Sequence, residues 1–317
     1  MRLINIYDFF IREGCGAELR NQKQIFKQLQ KARKENRKLN RFNRQFFDKE
    51  RFKNPYTDTR ILYGNPKKEI QCVLIGIDIG VGELLLVDRL SQQGKHIDLV
   101  ISHHPLGIAL AGLYEMMEMQ VDFLHNLGIS YEIAKDFMDR RMEEVKRRLH
   151  SGNHLRVVDA ARLLDIPLMS CHTPADNHVT RYLQTLMDLR KPKTLKKVID
   201  LLLTHPEYQE AEKNKMGPKI TVGRSQDDPG QLMVDMTGGT EGSKELFGRL
   251  SQLGIGTLLC MHLSEDHFNK IKPEHIHVIV AGHMASDSLG MNLLLDKLVQ
   301  KTSLEIIECS GFKRVKR

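Results

Sequence analysis

The segment Ile70-Gln71-Cys72-Val73-Leu74-Ile75-Gly76-Ile77 is apolar at nearly every position, the pattern of a strand covered on both faces, and Asp78 follows at its C-terminal end. Glu83 to Gln93 is amphipathic at helical spacing and is closed by Gly94 as a C-cap. A second buried run, Asp98-Leu99-Val100-Ile101, ends in Ser102-His103-His104-Pro105, where Pro105 has no N–H with which to continue a ladder. Strand, helix and strand in this order predict a parallel pair with a covering helix. Met116–Leu127, Ser130–Leu149, Asn153–Leu164 and Val179–Leu189 read as further helices, and Pro167–Cys171 as a short strand. The stripe Met138, Met142, Val145 reads as core packing.

The pattern then repeats. Leu232–Met236 reads as a strand, Thr237-Gly238-Gly239-Thr240-Glu241-Gly242 as a turn, and Thr257–His262 as a strand after an intervening helix. Arg89-Leu90-Ser91-Gln92 before Gly94 recurs as Arg249-Leu250-Ser251-Gln252 before Gly254, in the same strand–helix–strand frame, which argues for an internal duplication. The fold class expected is α/β, with two pseudo-repeated lobes. An N-terminal helical extension covers 1–57, a first lobe 58–190, a connection 191–228 and a second lobe 229–317.

A length of 317 residues and 28% charged residues suit one large core or two modest ones. The net charge of +8 is concentrated. Glu18 to Lys53 holds 13 Lys/Arg against four acids, which leaves the rest of the chain nearly neutral. Ile25, Leu29, Ala32, Leu39 and Phe42 recur there at roughly helical spacing, so a long basic helix lying on the body is expected. A solvated face is favoured over a nucleic-acid surface. The five cysteines form no C-x-x-C pair, no run reaches the roughly 18 apolar residues of a membrane span, and no signal-peptide core follows Met1. A cytoplasmic location without membrane attachment is the expectation.

Three polar clusters follow strands: His103/His104, His172 with Asp176, and His283 with Asp287. Each has a bland reading. A histidine pair can belong to a polar loop, and Asp287, behind Ser286 as N-cap, can simply answer a helix dipole. Together, imidazole nitrogens and carboxylate oxygens suit Zn, Fe, Mn or Co, whereas Ca or Mg would want oxygens alone. Two such ions supply metal-assisted hydrolysis chemistry. No G-x-S-x-G elbow is present, and the Gly-rich turn at 237–242 lacks the Lys-Ser/Thr of a P-loop.

Ser102-His103-His104-Pro105-Leu106, His172-Thr173-x-x-Asp176 and Gly282-His283-x-x-Ser286-Asp287 resemble, in order, the motifs of the Nif-three-like family (Ngg-interacting factor three), also labelled type-two GTP cyclohydrolase I. The resemblance covers roughly Asp58 to Cys309. It implies a Nif-three-like two-lobed fold, two divalent metal ions and a ring-shaped homohexamer. The ligands it implies are His103, His104, Asp176, His283 and Asp287, with Asp176 as bridging carboxylate and His172 outside the ligand set, orienting a ligand or holding water. The family usually has Glu where this chain has Asp287, so either the helix comes closer or that bond lengthens. The leading functional reading is a metal-dependent hydrolase of a small molecule, GTP cyclohydrolase-like or phosphoesterase-like. The alternative is a non-catalytic, metal-dependent oligomeric binding or regulatory protein.

Overall fold

A computed structural model describes residues 1–317. Nine strands are present: β1 (Arg60–Tyr63), β2 (Cys72–Gly76), β3 (Leu99–Ser102), β4 (Leu168–Ser170), β5 (Lys219–Val222), β6 (Gln231–Asp235), β7 (Ile255–Cys260), β8 (His277–Val280) and β9 (Glu305–Cys309). They form two sheets, β1-β4-β3-β2-β9 and β5-β8-β7-β6. β1 and β5 each pair antiparallel, with a register shift, to β4 and β8, and the strands that follow inward are parallel. The two lobes therefore share one strand order. The helices Val81–Gln92 and Phe247–Gln252 each bridge a parallel pair, and each is followed by a glycine in the left-handed region, Gly94 (φ 88°) and Gly254 (φ 85°). Each also carries the same local bond, from Arg89 to Gln92 and from Arg249 to Gln252.

The helices Thr173–Arg190 and His283–Val299 lie between the two sheets. Met291, Leu294 and Leu298 enter the core of the first sheet, while Ala285 and Leu289 enter that of the second. A helix wedged between two cores is apolar on more than one face, which is why 283–299 has no clean amphipathic stripe. The outer faces of the sheets are covered by 81–92 and 156–163 on one lobe and by 118–126 and 131–150 on the other.

Several expectations change. The basic segment is not one long helix. Its main helix runs Gln22–Lys38 from an Asn21 capping box, and the chain turns extended at Leu39. Before it lies a helix the hydrophobic pattern also encodes, Leu3–Ala17, whose Leu3, Ile6, Tyr7 and Phe10 are buried in the first core. The stretch 191–228 is more than a connection, because it contains two helices and the edge strand β5. Nor does 229–317 stay in the second lobe: β9 crosses back and pairs parallel with β2, Cys72 opposite Glu305 through Gly76 opposite Cys309. Finally, the last long helix starts at His283 with Gly282 as its N-cap, not at Ser286. The Ser286 hydroxyl donates back to the Gly282 carbonyl at 2.7 Å.

Candidate metal centre

Register brings the polar strand ends together. Gly76, Ser102 and Ser170 lie opposite one another at the carboxyl ends of β2, β3 and β4, so the segments after them open on one cleft. The N–H groups of His103 and His104 donate to the Gly76 and Ile77 carbonyls at 2.9 Å, which ties both residues to the end of β2. His103 is fully buried and His104 half-buried. His172 precedes the helix Thr173–Arg190 and Asp176 stands one turn further on; His283 and Asp287 stand in the same i, i+4 relation on 283–299. Each lobe thus contributes one His-x-x-x-Asp unit from the helix after β4 or β8. Asp287 lies in the second turn, with no acid in the first, so the helix-dipole reading of this carboxylate fails.

Three of the imidazoles are held by their outer nitrogens. His103 Nδ1 meets the Cys171 carbonyl at 3.1 Å, His104 Nδ1 meets Asp78 at 2.7 Å, and His172 Nδ1 meets Asp58 at 2.9 Å. A carbonyl or carboxylate can only accept, so each Nδ1 carries a proton and each Nε2 faces the cleft. Asp58 is fully buried and also accepts from the Thr173 hydroxyl at 2.6 Å.

The inward atoms are evenly spaced. Asp287 Oδ1 lies 3.4 Å from His103 Nε2, and its Oδ2 lies 3.4 Å from His104 Nε2 and 3.5 Å from His283 Nε2. Asp176 stands 3.4 Å from His103 Nε2 and 3.6 Å from His172 Nε2. Donors at about 2.1 Å from a cation in tetrahedral arrangement stand about 3.4 Å apart. His103 Nε2, Asp176 Oδ1 and both carboxylate oxygens of Asp287 are buried without any hydrogen-bond partner. Each such atom costs about 1–3 kcal/mol unless something binds it. Nitrogen and carboxylate donors with this spacing and this shortfall fit a divalent cation. Three sets could hold one: His104/His283/Asp287, His103/Asp176/Asp287 and His103/His104/His172.

The electrostatics follow from the crowding. Burial alone would raise the Asp287 carboxyl, but His103, His104 and His283 overcome it and hold the group far below the carboxylate range. Asp176 is pushed up to about 6 by burial, against the pull of His172 and His103. Burial would lower His172, yet Asp176 and Asp58 carry it up to about 9. His283 is lowered to about 4 by burial and by the imidazoles of His104 and His262. Opposed shifts of this kind follow from packing several titratable groups into one buried cleft.

All five residues picked from the motifs meet here, and His172 joins them with its Nε2 facing the same space. The helix that carries Asp287 packs closely against the one that carries Asp176. A Cβ on Gly290 would stand 2.5 Å from the Ala175 carbonyl oxygen, so only glycine lets the helices bearing Asp176 and Asp287 approach this far. Sequence reasoning also passed over His262. Asp235 pairs with Cys260 as Gly76 pairs with Ser102, so His262 holds the position in the second lobe that His104 holds in the first. Its ring centroid is 4.9 Å from that of His283, and Glu241 lies 3.6 Å from its Nδ1, much as Asp78 attends His104. The signal was the duplicated frame, which ends near a histidine in both lobes.

Neither protein-family models nor curated proteins match this sequence. Solved structures do. A NIF3 superfamily protein from Sphaerobacter thermophilus is 26% identical, with a TM-score of 0.69 over 80% of this chain and 91% of that one. Looser likenesses are reduced HcgD from Methanocaldococcus jannaschii (16% identity, TM-score 0.49, 77% of this chain and 85% of that one) and a Bacillus cereus protein related to NIF3 (13%, 0.41, 79% and 89%). The two-lobed fold and the three motifs in order agree with the Sphaerobacter likeness, and the chain has a NIF3-like fold.

Proposed function

We propose that His103, His104, His172, Asp176, His283 and Asp287 bind two divalent cations of the Zn, Fe, Mn or Co group, and that the protein is a metal-dependent hydrolase of small phosphorylated or nucleotide-like molecules. The convergence of four buried, unpartnered polar atoms carries the reading. Asp287 is assigned as the bridging carboxylate in place of Asp176, since its two oxygens address His103 on one side and His104 with His283 on the other. His104, His283 and Asp287 would hold one ion; His103, His172, Asp176 and Asp287 the other. Such ions supply Lewis acidity toward water and toward a phosphoryl or carbonyl oxygen. The chain's own part is to fix ring orientation through Asp58, Asp78 and the Cys171 carbonyl. It also leaves His104 and His283 half-exposed, the side from which a substrate can enter.

Metal analysis of purified protein tests this: about two ions per chain, falling to one or none in His104→Ala. No metal in either protein refutes the centre. Protein with both ions bound is then assayed with Mn, Fe or Zn against phosphoesters and nucleotides. Complete absence of turnover would favour the second reading, a binding or regulatory protein, which one observation supports: the donors come from both lobes, so bound ions would tie the lobes together. The resemblance extends the proposal to a cytoplasmic ring of six copies, for which mass by light scattering is the test. No helix is long and apolar enough to cross a membrane.

A further inference from the structure

A cavity of about 110 Å³ leads away from the centre into the second lobe. His172, Asp176 and His283 line it together with Phe123, Leu124, Leu246, Leu250 and Leu258. Asp235, Glu241 and His262 also line it, with Glu241 3.6 Å from His262 Nδ1. A void left by imperfect packing is small, sealed and apolar all round, whereas this one is shared with the cleft that holds the ligand set. Its walls come from both lobes: the helix Glu118–Asn126 on one side, β6, β7 and the Gly-rich turn on the other.

That turn is the Gly-rich segment 237–242, which lacks the Lys-Ser/Thr of a P-loop. It serves here as a fixed wall. Gln120 Nε2 donates to the carbonyls of Gly238 and Thr240, both at 2.8 Å, and the Thr237 hydroxyl donates to Asn177 at 2.6 Å. Gly238 has φ 99°, and a Cβ there would stand 2.7 Å from Gln120 Cγ, so glycine is required on both counts. The wall is pre-shaped before any ligand arrives, which spares the ordering cost of binding.

We infer that this cavity receives a ring-sized apolar group, aryl or branched alkyl, of a ligand whose oxyanion head rests at the metal centre. The inference rests on the metal reading above and adds the substrate class to it. The cavity is of the order of the roughly 150 Å³ that admits a benzene ring. Aliphatic and aromatic side chains supply about half of its lining residues and would pack against the uncharged part of the ligand, while His262 is available to the head group.

Calorimetry on protein loaded with Mn tests this, with phenylphosphonate and methylphosphonate as probes. The phenyl compound should bind at least about tenfold more tightly, from the apolar area it buries. Met233→Trp fills the cavity from its half-buried wall and should remove that preference while leaving methylphosphonate affinity and metal content unchanged. Leu250→Ala enlarges it and should admit naphthylphosphonate, which the wild type excludes. Equal affinity of the two first probes in the wild type, or a preference that survives Met233→Trp with no gain in Leu250→Ala, overturns the assignment. If neither phosphonate binds although two ions are present, the oxyanion role of the centre itself is refuted, and this inference with it.

Discussion

Asp287 is the residue on which the centre turns, and removing it should do more than remove one ligand. Its oxygens lie within 3.4–3.5 Å of three imidazole nitrogens that belong to two donor sets. Asp176 belongs to one of those sets only. Asp287→Ala should therefore abolish both ions, whereas Asp176→Ala should leave about one per chain. The stability of the two states follows separately. Each ion present at 100 times its Kd adds about 2.7 kcal/mol, so two add about 5 kcal/mol. With about 2.1 cal/mol/K of unfolding entropy per residue, that raises Tm by about 8 °C for a chain of this length. The variant should gain nothing from added metal. Without metal the two proteins should melt closer together, because wild type then carries the cost of two unpartnered Asp287 oxygens that the variant lacks, while Asp176 Oδ1 stays unpartnered in both. Mass-spectrometric metal analysis and thermal melting with and without Zn or Mn give all four numbers. Two ions retained in Asp287→Ala, or both lost in Asp176→Ala, would refute the shared-carboxylate geometry.

Gly290→Ala should force the helices bearing Asp176 and Asp287 apart by nearly 1 Å, costing about 1–3 kcal/mol of stability. It should empty the His103/Asp176 side while sparing the His104/His283 side, whose Asp287 shares a helix with His283; loss of both ions or of neither in metal analysis counts against this. Asp58→Asn removes the carboxylate that orients His172 and accepts from Thr173, and should weaken one ion about 10–100-fold in chelator competition, with unchanged affinity as the contrary result. Burial raises the Asp235 carboxyl from 3.8 to about 6, so the folded state binds this proton more tightly than the unfolded one. That contribution to stability is complete below about pH 4 and is lost as pH rises toward 6. Asp235→Asn should then be more stable than wild type at pH 7 by about 1–2 kcal/mol, allowing for the carboxyl's residual contact with water, and equal to it at pH 4. Denaturant melts at the two pH values decide it.

The strands and the three clusters were legible in the sequence because the forces that place them are local. A β-branched run, a proline that cannot donate and a glycine at a helix end each act within a few residues, so 70–77, 98–101 and the repeated Arg-Leu-Ser-Gln frame could be read directly. What was hidden depends on contacts distant in sequence. Gly290 reads as an ordinary helix glycine until Ala175 is found beside it. β9 is a half-exposed strand whose sheet is chosen by the free edge of β2, more than 200 residues away. The duplication explains the layout of the centre and also its asymmetry. Both lobes supply a His-x-x-x-Asp unit, and both place a histidine two residues past the equivalent strand, His104 and His262. At the preceding position, however, the first lobe has His103 and the second has Met261. A thioether cannot replace the imidazole among hard carboxylate donors. The proposed ligand set therefore has no second-lobe counterpart of His103, and His262 lines the cavity with Glu241 beside it. Met261 instead lines the cavity in which the proposed apolar group would sit beside the proposed centre.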